Sequence, residues 1–141
     1  KGRVSVPAEF RAKVAASEFD VIFGGPSWDG DYLEGGGIEL LMQYQRSLDR
    51  VDYYDEGRLA LEQAIFAESR RLAFDSGGRV TLPKELADHA RLNGKVHFVG
   101  LGGRFEIWNP EGYKDRIADV RRIAREHRNR LKPVDMSGAV S

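Results

Sequence analysis

The stretch that decides the fold reads Gly77-Gly78-Arg79-Val80-Thr81-Leu82-Pro83-Lys84-Glu85-Leu86, and a close copy of it opens the chain. The copy, Lys1-Gly2-Arg3-Val4-Ser5-Val6-Pro7-Ala8-Glu9-Phe10, lies 76 positions earlier and repeats the glycine, arginine, valine, proline and glutamate. Polar and apolar residues alternate over 79–82, which predicts a half-buried strand with Val80 and Leu82 facing inward. The proline that follows lacks an N–H donor and ends the strand, and its φ suits the first position of a helix.

Two later blocks match in the same order. Val21–Gly24 aligns with His97–Gly100 at the same spacing, and Gly37–Leu40 aligns with Arg104–Ile107 at a spacing of 67. Three ordered matches indicate a duplicated unit. The shorter spacing predicts nine extra residues in the first copy, which form an acidic, glycine-rich insert at 28–36.

Each copy is predicted to have the order β-α-β-β. Leu86 and Ala90 face inward from the short helix, as Phe10 and Val14 do in the first copy. The second copy continues with a strand at 96–100, a hairpin turn at 101–103 and a strand at 105–108. Three strands and a short helix cannot bury both faces of a sheet. We therefore expect the hairpins of the two copies to interleave into a small closed barrel, an α+β fold with pseudo-twofold symmetry.

The rest of the chain is predicted to be mostly helical. Leu40–Arg71 has an apolar stripe with a break near Asp55–Gly57, and Asn109 caps a last helix that Pro133 stops. Because the chain begins at Lys1 inside the motif, we expect a fragment that has lost its natural N-terminus. The predicted segments are a truncated first repeat (1–46), linker helices (47–71), a second repeat (72–110), a C-terminal helix (111–132) and a flexible tail (133–141).

Composition limits the function classes. The chain has 141 residues, 41% hydrophobic and 31% charged, as expected of a soluble globular protein of one domain or two small ones. The absence of cysteine excludes disulfides and thiolate chemistry and favours a reducing compartment. No apolar run approaches the ~18 residues of a membrane helix, so we expect no membrane partner. The 22 basic and 22 acidic residues cancel overall, but both ends are basic and the predicted insert is acidic.

Nothing in the sequence indicates catalysis, a metal or a cofactor. The three histidines, His89, His97 and His127, stand apart and form no metal-ligand motif. The glycine pairs lack the context of a phosphate-binding loop and are interpreted as turns. Asp29, Asp31 and Glu34 lack the spacing of a calcium loop, so a solvated acidic loop is expected.

Two blocks of the second copy, Asp75–Pro83 and Phe98–Glu111, stand in a distinctive order, with Phe-Glu-Ile-Trp at 105–108. Together they resemble the MraZ family, and the resemblance extends over nearly the whole chain. It implies two AbrB-like (SpoVT-AbrB) domains in one chain, with a swapped-hairpin β-barrel and flanking helices. It also implies a bacterial transcriptional regulator of the division and cell-wall gene cluster.

The family motif Asp-x-x-x-Arg suggests the site. Asp75 and Arg79 supply it in the second copy, whereas in the first copy Arg3 matches but the aspartate would precede Lys1. A guanidinium forms a bidentate fork to phosphate or to guanine. We therefore expect contacts to double-stranded DNA from residues of both copies, supported by Asp75 and Gly78: Lys1, Gly2, Arg3, Ser5 and Arg79. The alternative is that Arg79 and Asp75 form an ordinary surface ion pair.

These features predict a sequence-specific DNA-binding regulator, acting as a repressor, in the cytoplasm at the nucleoid. The resemblance implies a ring-shaped, octamer-like homo-oligomer on repeated short DNA elements. Two alternatives stay open: a non-catalytic assembly module whose arginines serve subunit contacts, and an antitoxin-like AbrB module. The short tail after Lys132 counts against the antitoxin.

Overall fold

The computed structural model describes residues 2–15 and 21–133, and for 13–15 it describes the backbone only. The fold combines helices with antiparallel sheet. The strands are β1 (Arg3–Ser5), β2 (Val21–Pro26), β3 (Tyr32–Gly36), β4 (Arg70–Ala73), β5 (Arg79–Thr81), β6 (His97–Gly100) and β7 (Arg104–Trp108). The helices are α1 (Ala8–Ala15), α2 (Ile38–Leu48), α3 (Glu56–Glu62), α4 (Lys84–His89) and α5 (Pro110–Glu126). A π-helical turn (Gln63–Ala67) follows α3, and a 3-10 turn (Arg128–Arg130) follows α5. The predicted α+β class is confirmed.

The strand–helix–strand–strand order occurs twice, as β1-α1-β2-β3 and as β5-α4-β6-β7. The first strands of the two repeats pair antiparallel, with Val4 opposite Val80. Two equivalent hydrogen bonds flank this pair: the Val6 N–H donates to the Gly78 carbonyl at 3.3 Å, and the Leu82 N–H donates to the Gly2 carbonyl at 2.7 Å. A local twofold axis therefore relates β1 and β5.

The remaining strands form one antiparallel sheet in the order β4-β2-β3-β7-β6. The two hairpins, β2–β3 and β6–β7, lie side by side, with Glu34 directly opposite Glu106 at the centre. The register equates Tyr32–Gly36 with Arg104–Trp108, since each strand follows its hairpin loop and precedes a helix.

This register corrects the predicted insert. Ile38–Leu40 begins α2 and is not the counterpart of Phe105–Ile107. Strand β3 lies within 28–36 and matches β7 at a spacing of 72, so the first copy has four extra residues (76 − 72) instead of nine. The alignment failed because an apolar–polar–apolar triplet fits both a strand and a helix turn. The acidic-loop prediction is wrong for Glu34, which lies in β3.

The core lies between the two repeats. Val80, Leu82, Leu86, Ala90 and Phe10 are buried, which confirms the predicted inward faces, whereas Val14 lies outside the described side chains. The Phe10 ring packs edge-on against two rings of the second repeat, with centroids 5.3 Å from Phe105 and 5.6 Å from Phe98. A helix of the first repeat thus covers the sheet of the second.

The segment between the repeats is less helical than predicted. The break at Asp55 is confirmed, since its Oδ1 accepts from the Gly57 and Arg58 N–H groups and caps α3. Arg70 and Arg71, expected at a helix end, instead begin β4, which pairs with β2. This strand has four residues, and only Leu72 among them is buried. The sequence therefore lacks the apolar–polar alternation that would have indicated a strand.

Pro83 also differs slightly from its prediction. It caps α4 instead of forming its first residue, with φ −57° and ψ 149°. Its carbonyl accepts hydrogen bonds from the Leu86 and Ala87 N–H groups, both at 3.1 Å. The proline thereby ends the strand and starts the helix.

Contacts divide the chain into two compact units, Lys1–Pro110 and a second that begins at Glu111. Helix α5 begins at Pro110, directly after the predicted cap Asn109. Within the second unit, Arg122 forms ion pairs with Asp119 and Glu126, each at 2.7 Å. None of the helices within 2–15 and 21–133 is both long enough and apolar enough to cross a bilayer.

Candidate nucleic-acid interface

The candidate interface is the exposed face of the ribbon formed by β1 and β5. In its register, Arg3 lies opposite Thr81 and Ser5 lies opposite Arg79. Val4 and Val80 point into the core, so these four polar side chains share the outer face. The structure therefore brings together three side chains that the sequence placed in one site.

A tight loop before β5 fixes the backbone around Arg79. One carboxylate oxygen of Asp75, Oδ1, accepts from the N–H of Gly77 at 2.8 Å and from the N–H of Arg79 at 3.0 Å. The Asp75 N–H donates to the Arg79 carbonyl at 2.8 Å. The aspartate in the motif is thus a loop residue as well as an ion-pair partner.

The second oxygen, Oδ2, lies 3.3 Å from the Arg79 Nε. The hydrogen bond from the Arg79 N–H is the main cause that lowers the pKa of Asp75 below its ordinary 3.8, and the charges of Arg79 and Arg3 lower it further. One carboxylate therefore acts on both arginines. Because the Arg79 side chain is still 44% exposed, its guanidinium remains accessible.

A glycine at positive φ precedes each of the two strands. Gly2 has φ +72° and Gly78 has φ +75°, a backbone conformation that side-chain-bearing residues adopt only with strain. The two positions are equivalent in the repeats and give both arginines the same backbone geometry. Lys1 lies outside the described residues.

Arg11 in α1 is part of this region and was missed by the sequence reasoning. Its Nε donates to the Val6 carbonyl at 3.1 Å, and its guanidinium lies against Gly78. The sequence signal was an arginine one turn after Pro7, which alone does not show that the side chain crosses to the other repeat.

Comparisons of the sequence with known proteins identify relatives of this chain. A family model described as "MraZ protein, putative antitoxin-like" matches residues 65–132. The protein named "Transcriptional regulator MraZ" from Rickettsia bellii is 41% identical over 94% of this chain and 88% of its own length. The chain belongs to the MraZ family. Proteins of the same name from Caulobacter vibrioides and Phenylobacterium zucineum are 43% and 41% identical over 89% of the chain, and over 80% and 78% of their own lengths.

The family-model match contains Asp75, Gly78 and Arg79, whereas β1 lies outside the matched residues 65–132. Over the described part of this MraZ chain, no three histidine, aspartate or glutamate side chains come together as a metal site. His89 instead has its Nε2 2.9 Å from the Gly30 carbonyl oxygen, and Asp31 pairs with Arg91 at 3.1 Å. These groups have structural partners in the fold.

Proposed function

We propose that this MraZ-family chain is a sequence-specific DNA-binding transcriptional regulator whose outer β1–β5 face contacts double-stranded DNA. The observation that carries the proposal is that two equivalent arginines, Arg3 and Arg79, lie on one exposed face and are related by a local twofold axis. A two-stranded ribbon fits the major groove of B-DNA, which is about 12 Å wide. Guanidinium groups there reach phosphates or the O6 and N7 atoms of guanine.

The residues have different roles in this proposal. Arg3 and Arg79 make the principal contacts, with Gly2, Ser5 and Lys1 beside the first arginine. Asp75 and Gly78 support the contact: one orients the Arg79 guanidinium, and the other provides the backbone turn before it. An exposed Arg–Asp pair contributes little to stability, so a loop that holds this pair at the surface fits binding better than folding.

The proposed assembly is a ring-shaped, octamer-like homo-oligomer built on AbrB-like swapped-hairpin barrels. Each chain binds a short DNA element weakly, and repeated elements engage neighbouring chains so that avidity raises the overall affinity. The proposed role is repression of the division and cell-wall gene cluster, in the cytoplasm at the nucleoid. Large exposed apolar side chains, including Tyr54 and Leu59, support association of the chain with other copies.

The second candidate is an assembly or antitoxin-like module whose arginines contact protein instead of DNA. The observation that favours it is the existing ion pair between Arg79 and Asp75, together with the "antitoxin-like" wording of the family description. In that case, removing either arginine changes oligomer mass or partner binding and leaves DNA affinity unchanged.

Fluorescence anisotropy with the full chain separates the two candidates. The probe is duplex DNA from upstream of the chain's own coding region, intact or with its repeats scrambled. Arg3→Ala should weaken binding by ~1–3 kcal/mol if it contacts a base, with melting temperature and oligomer mass unchanged. Arg79→Ala should reduce the magnitude of the slope of log K against log salt by about one, as expected for the loss of one phosphate contact.

The matched control is Arg46→Ala, which removes the same charge from an exposed position on α2. It should leave affinity and salt slope close to wild type. Equal binding to intact and scrambled repeats would contradict sequence-specific recognition. Unchanged affinity in both the Arg3 and Arg79 variants would move the interface elsewhere.

A further inference from the structure

We infer that Arg11 is a positioning residue, which holds the loop that presents Arg79 and does so from the opposite repeat. This inference rests on the proposed DNA-binding function. A Cβ built on Gly78 would lie 2.6 Å from both the Cζ and the Nη1 of Arg11, so the guanidinium is in direct contact with the glycine. The Gly78 backbone is buried beneath this group although its neighbours Gly77 and Arg79 are exposed.

Val6 binds both residues of this contact, and we refer to Arg11, Val6 and Gly78 together as the clamp. Its carbonyl accepts from the Arg11 Nε at 3.1 Å, and its N–H donates to the Gly78 carbonyl at 3.3 Å. The guanidinium is therefore oriented by a backbone group that is itself bonded to the glycine it covers. Asp75 belongs to the same loop and accepts hydrogen bonds from the N–H groups of Gly77 and Arg79, the residues on either side of Gly78. Gly78 is thus held by its own loop and by Arg11 of the other repeat.

The clamp breaks the symmetry of the site. The position equivalent to Arg11 in the second repeat is Ala87, whose methyl group cannot extend across to the turn at Gly2. The loop before Arg79 is thus held by the other repeat, whereas the loop before Arg3 lacks this arginine. Two arginines related by pseudo-symmetry consequently differ in how rigidly they are presented.

A preorganised loop loses less conformational freedom when it binds, which strengthens binding without an added contact. Removing Arg11 should therefore weaken DNA binding by about three- to tenfold, as expected for one newly mobile side chain and its backbone. The salt slope should stay at the wild-type value because no phosphate contact is lost. This distinguishes positioning from contact.

The test compares Arg11→Ala, Arg11→Lys and the control Arg46→Ala in the full chain, using the DNA duplex described above. Arg11→Lys keeps the charge but lacks the planar Nε donor, so it should lose affinity nearly as Ala does. In an Arg79→Ala background, Arg11→Ala should have almost no further effect, because the residue acts through Arg79. Rescue by lysine, or a salt slope lowered by about one, would overturn the inference and make Arg11 a charge contact.

A second readout needs no DNA. Amide hydrogen exchange followed by NMR should be faster in Arg11→Ala at Val6 and Gly78, with little change in the core strand β7. Unchanged exchange at both amides would overturn the clamp. If the wild-type chain binds no DNA, the proposed function fails, and the exchange result still decides whether Arg11 holds the loop. If Arg11→Ala fails to fold, Arg11→Lys replaces it, since lysine keeps the charge but lacks the Nε donor to the Val6 carbonyl and should also speed exchange at Val6 and Gly78.

Discussion

Asp75 shows how much of the site depends on a single ionised carboxylate. Its negative charge faces Arg79 and Arg3, and its Oδ1 accepts from two backbone amides. The folded-state pKa is lowered from 3.8, so the ionised group stabilises the fold above pH 3.8 and this contribution is lost as pH falls through the lower, folded value. Denaturant unfolding should therefore show wild type more stable than Asp75→Asn at pH 7, with the difference shrinking below about pH 3.8.

In the same titration, Asp119→Asn serves as the control, because its carboxylate lies on α5 and pairs with Arg122, three residues further along the same helix. If the stability difference between wild type and Asp75→Asn widens on acidification, Asp75 does not stabilise the loop as an ionised carboxylate.

Unlike Asp75 and Arg79, Arg11 could not be identified as a site residue from the sequence. Its partner, Gly78, belongs to the other repeat, and only the folded chain shows their contact.

Among the elements, β5 and its extension to Leu82 test the orientation of the ribbon. Leu82 is 5% exposed inside the core, whereas Thr81 points outward next to Arg3. Leu82→Ala should lower the free energy of unfolding by about 2–5 kcal/mol because it leaves a cavity. Thr81→Ala should change it by less than about 0.5 kcal/mol, as a typical surface substitution. A Thr81 variant that is the more damaging of the two in urea titrations would place Arg79 in the core and remove it from the interface.

The elements found from sequence are those specified by local signals. The strand–proline–helix order at 79–90 depends on alternation and on backbone geometry within a few residues, and the structure confirms it. Strand β4 depends instead on pairing with β2 far away in the chain, and β3 ends in two glycines, a residue that strands disfavour. At Gly35 a Cβ would collide with the Phe23 carbonyl oxygen and would lie 2.5 Å from the Phe105 ring, so glycine is required here by contacts that form only in the folded sheet.

The connection between α2 and α3 shows the same limit. Arg58 is nearly buried: its Nη1 donates to the Val51 carbonyl at 2.8 Å, its Nε pairs with Glu62 at 3.3 Å, and its guanidinium lies over the Tyr53 ring. The sequence shows only an arginine four residues before a glutamate, the spacing of an exposed helix pair. The fold turns it into a bridge that closes the loop between the helices.

At the scale of the whole molecule, exposed apolar side chains and open sheet edges support association of several chains. Around this α2–α3 connection, Tyr53, Tyr54 and Leu59 are exposed by 65%, 87% and 55%. The five-stranded sheet also ends at β4 and β6, whose outer edges pair with no strand among residues 2–15 and 21–133. Exposed apolar patches mark interaction sites, and an open sheet edge can pair with a strand of another chain.

The full chain should therefore form a closed homo-oligomer. Multi-angle light scattering at tens of micromolar should give a whole-number multiple of the chain mass that does not grow with concentration, because a closed ring leaves no free interface. Apolar contacts are not screened by salt, so the mass should persist in 1 M NaCl, where the ~3 Å Debye length suppresses surface ion pairs. A monomer at these concentrations would reject the assembly, and a mass that rises continuously would reject closure. Dissociation in high salt would show that charge, and not the apolar surface around α2 and α3, holds the copies together.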